Sequence, residues 1–329
     1  MLGKTKNIIF LVVILFLVVL AYFLKKERNS ISRSDRRNFS VVDSSNVIKI
    51  TLSSKAPETA ILQRINNNYW TINGEHKAGK SVIKNLLKTL QRMEIAYPVP
   101  LSMRENVLGN LAIYGIKVKV ELKNGMEKTF YVGGDNREQS ATYMMLQNAS
   151  DPYAVHIPGF QGYLSSRFFT KESIWRDKMI MSYDNQNIKS IEINHSDSNL
   201  SESFIIIQDN EEIKVYEKKS GEIIVTNDNK VKRLLASFRK LPAESFVTGN
   251  LNTDSLLKTK PLFEIQVKSF NGEKTNISIY PKRNLNNVYD DMIMPDPERL
   301  YAYVNDEDWM VIQLNTFKKI MLTLSDLKD

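Results

Sequence analysis

An unbroken apolar run, Ile8–Leu24 (IIFLVVILFLVVLAYFL), restricts this chain more than any other feature. In lipid every backbone N–H and C=O must be paired within its own segment, so a run of this kind predicts a helix. Its 17 residues lie at the short end of the bilayer-spanning range. Tyr22 sits near one end, where aromatic rings favour the interface. No A-x-A-like cleavage site follows, which opposes a removable signal peptide. The expectation is a transmembrane anchor at 8–24, with a short arm at 1–7 and a basic, Ser- and Arg-rich tether at 25–43.

The net charge of +8 is unevenly distributed. Eight of the 45 basic residues, but only two of the 37 acidic ones, fall in the first 37 positions. Lys25, Lys26 and Arg28 are expected to meet anionic lipid headgroups. The remaining body is close to neutral, so no nucleic-acid partner is expected. The absence of cysteine excludes disulfides, Cys-ligated zinc and thiol catalysis.

Beyond the tether the pattern changes to short strands with turn signals. Val47–Leu52 alternates apolar and polar residues, and Ala60–Ile65 and Tyr69–Ile72 flank Asn66-Asn67-Asn68. Ser81–Met93 has helical periodicity, with Val82, Ile83, Leu86, Leu87, Leu90 and Met93 on one face. Lys80, Lys84, Lys88 and Arg92 repeat every four residues as a solvated basic stripe. Ile116–Leu122 and Lys128–Val132 flank Asn124-Gly125, a strong hairpin signal. Thr142–Leu146, Ala154–Ile157 and a polar-aromatic segment, Phe160–Ser173, follow.

The same order then returns. Ile188–Ile193 echoes Ile48–Leu52, and Asn229–Leu241 lines up with Ser81–Met93, apolar position for apolar position. The hairpin around Asn271-Gly272 repeats the one at Asn124-Gly125. Leu300–Val304, Trp309–Leu314 and Phe317–Leu324 repeat the closing elements, and Lys282–Glu298 reads as an insertion. An internal duplication accounts for this order. The expected fold class is therefore α+β: an N-terminal transmembrane helix followed by two duplicated antiparallel-sheet-plus-helix domains, at 44–178 and 179–329.

Several segments together resemble the bacterial domain of unknown function family 4340. They are the apolar run with Lys25-Lys26, Tyr69–Gly74 (YWTING), Pro98-Val99-Pro100, Tyr131–Gly134 (YVGG), Val155–Leu164 (VHIPGFQGYL), Arg167–Thr170 (RFFT) and Trp175-Arg176. The resemblance extends over nearly the whole chain. It implies a membrane-anchored, mostly extracytoplasmic protein of a kind often encoded near ABC-type transporter components, some of them gliding-motility-like. It implies no activity, cofactor or catalytic residue. Six basic residues after the apolar run against two before it favour a cytoplasmic body under the positive-inside rule. The minimal N-terminal arm matches an uncleaved export signal instead. With the family resemblance, this leads us to expect a single-pass chain in the cytoplasmic membrane with a periplasmic body.

The chemistry-bearing patterns are sparse. Gly74–Ser81 (GEHKAGKS) fits the phosphate-loop pattern G-x-x-x-x-G-K-[ST]. A hairpin strand precedes it, whereas a phosphate loop needs a parallel strand–helix–strand unit. Nucleotide binding or hydrolysis through Gly74–Ser81 is therefore kept as the alternative function. His76, His156 and His195 lack metal-ligand spacing, and no nucleophile elbow is present. Asp290, Asp291, Asp296, Glu298, Asp306, Glu307 and Asp308 cluster without EF-hand spacing. No catalytic, cofactor-binding or metal residue is expected. Pro158, Gly159 and Gly162 bend a segment carrying Phe160 and Tyr163, which either docks a partner or folds back on its own domain. The resulting expectation is a non-enzymatic interaction or accessory subunit of a cell-envelope assembly.

Overall fold

The computed structural model describes residues 14–15, 33–209, 212–249, 251–289 and 292–329. The chain divides into two compact units, one ending at Trp175 and the other spanning Arg176–Asp329.

In the first unit, a nine-stranded sheet is built from β1 (Val47–Ser53), β2 (Thr59–Asn66), β3 (Tyr69–Ile72), β4 (His76–Lys77), β5 (Glu94–Pro98), β6 (Ile116–Leu122), β7 (Glu127–Asp135), β8 (Thr142–Leu146) and β9 (Tyr153–His156). Their order is β4-β3-β2-β1-β6-β7-β8-β9-β5, and every pairing is antiparallel. Strand alternation puts Ile50, Leu52, Val118, Val120, Phe130 and Val132 on one face. Helix α1 (Lys80–Arg92) covers that face with Ile83, Leu86 and Leu90. A register shift between Val47 and Lys49 lets both Val47 and Ile50 point into the core, although they are three residues apart.

Helix α2 (Leu101–Tyr114) lies on the other face of the sheet. Val107 and Leu111 pack there with Val99 against Tyr131, Tyr143 and Met145. The approach is close enough that a Cβ on Gly133 would sit 2.8 Å from a Leu111 methyl. This helix was not expected from the sequence. Its apolar residues surround the axis, and Leu101 and Tyr114 remain 87% and 76% exposed, so no helical stripe marks it.

The second unit contains β10 (Met179–Met181), β11 (Ile188–His195), β12 (Phe204–Asp209), β13 (Glu212–Glu217), helix α3 (Asp228–Ser237), β14 (Leu241–Pro242), β15 (Ser245–Phe246), β16 (Phe263–Ser269), β17 (Lys274–Tyr289), β18 (Met292–Val304) and β19 (Asp308–Gln313). Eight of these strands form a sheet ordered β13-β12-β11-β16-β17-β18-β19-β15, and β10 pairs with β14 separately. This order matches β3-β2-β1-β6-β7-β8-β9-β5 strand for strand.

Backbone bonds agree at the same positions. Val41 N–H donates to Leu90 C=O at 2.8 Å, and Tyr183 N–H to Phe238 C=O at 3.1 Å. Gly79 N–H donates to Trp175 C=O at 2.7 Å, and Asn227 N–H to Leu327 C=O at 2.8 Å. The register shift of β1 recurs in β11, between Ile188 and Ser190.

The expected fold class, an α+β chain with an N-terminal transmembrane helix ahead of two duplicated antiparallel-sheet-plus-helix domains, is corrected. The described residues are mostly antiparallel sheet, in three sheets, and no helix among them is long and apolar enough to cross a membrane. The physical reason is visible in α1, whose outer face carries four cations, and in α3, which carries Lys230, Lys232 and Arg233. Of the run Ile8–Leu24, only Ile14 and Leu15 are among the described residues. The polar-aromatic segment Phe160–Ser173 makes one turn at Ser165–Arg167 and runs into one helical turn at Glu172–Trp175. Asp290 and Asp291 lie outside the described residues.

Each unit is closed by its last residues. Trp175 is fully buried, and its indole N–H donates to Phe169 C=O at 3.1 Å. Trp175→Ala is expected to destabilise the protein by about 3–5 kcal/mol, read from urea unfolding followed by circular dichroism. In the second unit, Glu202 accepts the backbone N–H and hydroxyl of Ser325, each at 2.9 Å. Asp326 accepts the N–H and hydroxyl of Thr323 at 2.8 and 2.7 Å. These bonds hold both carboxyls below the usual carboxylate range. A carboxyl with a depressed folded pKa stabilises above its unfolded value, about 4 for these groups, and loses that stabilisation as pH falls through the folded value. Glu202→Gln should therefore lower the melting temperature at neutral pH, with the gap to the wild type narrowing below about pH 4 in a differential scanning series.

Candidate functional site

The segment Gly74–Ser81 folds as a hairpin turn, a short strand and a helix start. Asn73 and Gly74 have φ of 53° and 79°, the left-handed pair that tight hairpin turns require. Asn73 also locks the turn: its Oδ1 accepts from Ile61 N–H at 2.9 Å, and its Nδ2 donates to Glu172 Oε2 at 2.6 Å. His76 Nε2 lies 3.5 Å from Glu172 Oε1. Ala78 N–H donates to Trp70 C=O at 2.8 Å, and Gly79 N–H is bound to Trp175 C=O. A phosphate loop wraps its ligand with free amides of this kind. Here the Ala78 and Gly79 amides are committed to the fold, in an antiparallel setting.

The same segment leads into a groove of about 620 Å³ along α1. Trp70, Ala78 and Ile83 form a buried floor, with half-buried Leu87 beside them. Asn67 and Asn68, from the turn between β2 and β3, stand on one side. Lys80, Lys84, Lys88 and Arg92 stand on the other, all exposed. The Arg64 guanidinium lies 4.7 Å over the Trp70 ring. It is held there by bonds to Val47 C=O at 2.7 Å and Ser44 C=O at 2.8 Å.

None of the four cations has a carboxylate partner among the described residues. Elsewhere Lys119 pairs with Glu127, Lys214 with Glu212, and Lys282 with Asp296. Like charges four residues apart on a helix cost roughly 0.2–0.5 kcal/mol per pair. Three consecutive pairs thus oppose folding by about 1 kcal/mol. The stripe is a charge arrangement that folding alone does not favour.

The segment around Phe160 folds back onto its own unit. The Arg167 guanidinium sits 4.4 Å over the Phe160 ring and donates to Asn85 Oδ1 and Thr89 Oγ1 of α1, at 3.1 and 2.9 Å. Phe160 and Tyr163 keep 38% and 37% of their surface exposed, so the segment is anchored yet still presents aromatic edges. Its far end is fixed by Thr142, whose hydroxyl donates to Asp135 Oδ1 at 2.6 Å and accepts from Leu164 and Ser165 N–H at 2.7 and 3.2 Å. Ser165 Oγ donates to the other oxygen of Asp135 at 2.9 Å.

The other sequence candidates are dispersed. His156 lies in β9, in register with Glu94 of β5. His195 is buried, and its Nε2 donates to Leu322 C=O at 3.0 Å, since a carbonyl can only accept. Asp296 binds Lys282 at 2.8 Å, which holds its carboxyl below the usual range. Asp308 binds Arg176 at 2.6 Å, and Glu298 approaches Arg299 at 3.4 Å. Among the described residues no three such side chains gather as metal ligands would. The groove itself is half legible from sequence: the spacing of its four cations and the apolar face of α1 are visible, but the turn between β2 and β3 and Trp70 of β3 are brought to them only by the fold.

The Thr142 hydroxyl generates a direct test. Thr142→Val leaves two backbone N–H groups and one Asp135 oxygen without their partner, which is expected to cost roughly 3 kcal/mol. Hydrogen exchange at Leu164 and Ser165 should accelerate, while the β1 and β6 amides remain the better protected.

A comparison with curated proteins finds no match, and a comparison with solved structures finds none either. The family model described as "Domain of unknown function (DUF4340)" matches residues 70–262. The match begins at Trp70 in the groove floor, takes in all of α1, and continues into the second unit. With more than half of the chain matched, this protein belongs to the DUF4340 family.

Proposed function

We propose that this chain is a non-enzymatic interaction or accessory subunit of a cell-envelope assembly, with a transporter complex as its setting. The observation that carries this reading is a contrast in how polar side chains are used. His195, Asp135, Asp296 and Asp308 are each tied into a local bond that the fold needs. The cations of α1 have no carboxylate partner among the described residues and line a concave groove. Groups held in local structural pairs are poorly placed for proton transfer or nucleophilic attack, whereas unpaired charge over an apolar floor suits partner recognition.

The envelope setting is supported by the sequence, through the apolar run Ile8–Leu24 and the flanking Lys25, Lys26 and Arg28. A body on the periplasmic side is part of this proposal. A phosphatase fused to the C-terminus should be active, and a cytoplasm-only fluorescent reporter at the same place should stay dark; the reverse pattern would move the body inside.

Lysine-reactive crosslinking in cells, followed by mass spectrometry, should recover a recurrent partner joined through Lys80, Lys84 or Lys88. A chain that is consistently solitary under those conditions would overturn the reading. The nucleotide alternative rests on the letters of Gly74–Ser81. With the Ala78 and Gly79 amides already bonded, the purified protein should show no ATP binding at millimolar nucleotide with magnesium. Calorimetric binding that Lys80→Ala abolishes would put nucleotide chemistry in its place.

A further inference from the structure

The two units allow the groove to be compared with its counterpart inside the same chain. Gly79 and Asn227 hold the same position: each precedes its helix and donates its N–H to the carbonyl that closes its unit. Counting from them, Ile83, Leu86 and Leu90 match Val231, Leu234 and Phe238, and all six are buried. The packing face of the helix is thus retained, while the groove face is not. Lys80, Lys84, Lys88 and Arg92 correspond to Asp228, Lys232, Ala236 and Lys240. The second unit's cavity at this place is about 260 Å³, and Glu212 and Asp228 line it with Lys232.

The helix starts differ in the same sense. The Asn227 side chain accepts from Asn229 and Lys230 N–H, and Asp228 lies in the first turn. That arrangement caps the helix and complements its dipole. Gly79 offers no side-chain cap, and Lys80 puts a cation in the first turn, against the dipole. The scaffold therefore has a more stable solution, which α3 uses and α1 does not. A charge row whose members repel one another, and whose first member, Lys80, opposes the helix dipole that only Arg92 in the last turn complements, is understood if an anion neutralises it.

We infer that the α1 groove binds an acidic, extended peptide segment of a partner protein; this rests on the interaction-subunit reading above and names its partner chemistry. Residues four apart on a helix are about 6 Å apart along its axis. Side chains on one edge of an extended strand recur every 6.6 Å or so. Carboxylates at alternate positions of such a segment can therefore meet Lys80, Lys84 and Lys88 in turn. The intervening residues face Asn67 and Asn68, whose amides can both donate and accept. A nucleic-acid strand fits less well, because stacking needs an open ring. Trp70 is only 4% exposed and lies beneath Arg64. A bilayer surface does not enter a concave groove whose floor lies below its cationic rim.

The test uses the full-length chain in a mild non-ionic detergent and a fluorescein-labelled peptide of alternating Glu and Thr, with fluorescence anisotropy as readout. Binding should weaken as salt rises, and a peptide of alternating Gln and Thr should not bind. The double variant Lys80→Asp/Lys88→Ala carries what the second unit has at these positions, so it should keep its circular dichroism spectrum and bind about tenfold more weakly. Equal binding by the variant would overturn the inference. So would tighter binding of phosphatidylglycerol vesicles or single-stranded DNA than of the acidic peptide. Crosslinks to a partner through other surfaces, with no peptide binding, would remove this inference alone. A solitary chain in cells would remove the reading beneath it.

Discussion

The pairing of β1 with β6, and of β11 with β16, is the interaction on which each unit depends. It joins two local hairpin systems into one sheet, with register from Val47↔Leu122 to Ser53↔Lys117 in the first unit and from Ile188↔Ser269 to His195↔Phe263 in the second. Both contacts are distant in sequence, so loop-closure entropy opposes them until the core forms. The core supplies the compensation: Ile50, Leu52, Val118 and Val120 are fully buried at the first seam, as are Ile191, Ile193 and Val267 at the second. Each such side chain contributes about 1.5–3 kcal/mol on burial. The shifted register at the start of each seam allows Val47 and Ile188 to join that core as well.

Once the seams exist, the positions of α1 and α3 follow. Each helix leaves the β4 or β13 edge and must cross the apolar face before its chain reaches β5 or β15 at the opposite edge. The closing carbonyls of Trp175 and Leu327 then fasten the helix starts. This geometry puts the outer face of α1 beside the turn between β2 and β3, and so a groove forms next to four cations. The same geometry in the second unit forms a smaller, mixed-charge cavity. The difference between the two is one of side-chain charge on a shared frame.

Legibility from sequence followed the strength of local signals. The helix at Ser81–Met93 and the hairpin turns at Asn124-Gly125 and Asn271-Gly272 lie where periodicity and turn chemistry place them. Helix α2 escaped notice because Leu101, Met103, Ile113 and Tyr114 leave its exposed side as apolar as its packed side. The phosphate-loop letters at Gly74–Ser81 misdirected for a related reason. A spacing pattern records which residues are present, but not that Gly79 N–H is already bonded to a carbonyl ninety-odd positions away. The anchor at Ile8–Leu24 belongs to the sequence reading alone, as no helix among the described residues is long and apolar enough to cross a membrane.

By itself, the sequence determined the longer strand segments but not the short strands such as β5 and β15, together with the apolar face and cation row of α1 and the lack of any thiol chemistry, because these depend on residue type and on periods of two or 3.6. Only the tertiary structure decided which strands meet at the seams, that α2 takes the opposite face of its sheet, and that the cation row overlooks a groove instead of open solvent. Those outcomes depend on contacts between residues far apart in the chain. Pairing, burial and the loss of free amides exist only once the chain has brought such residues together.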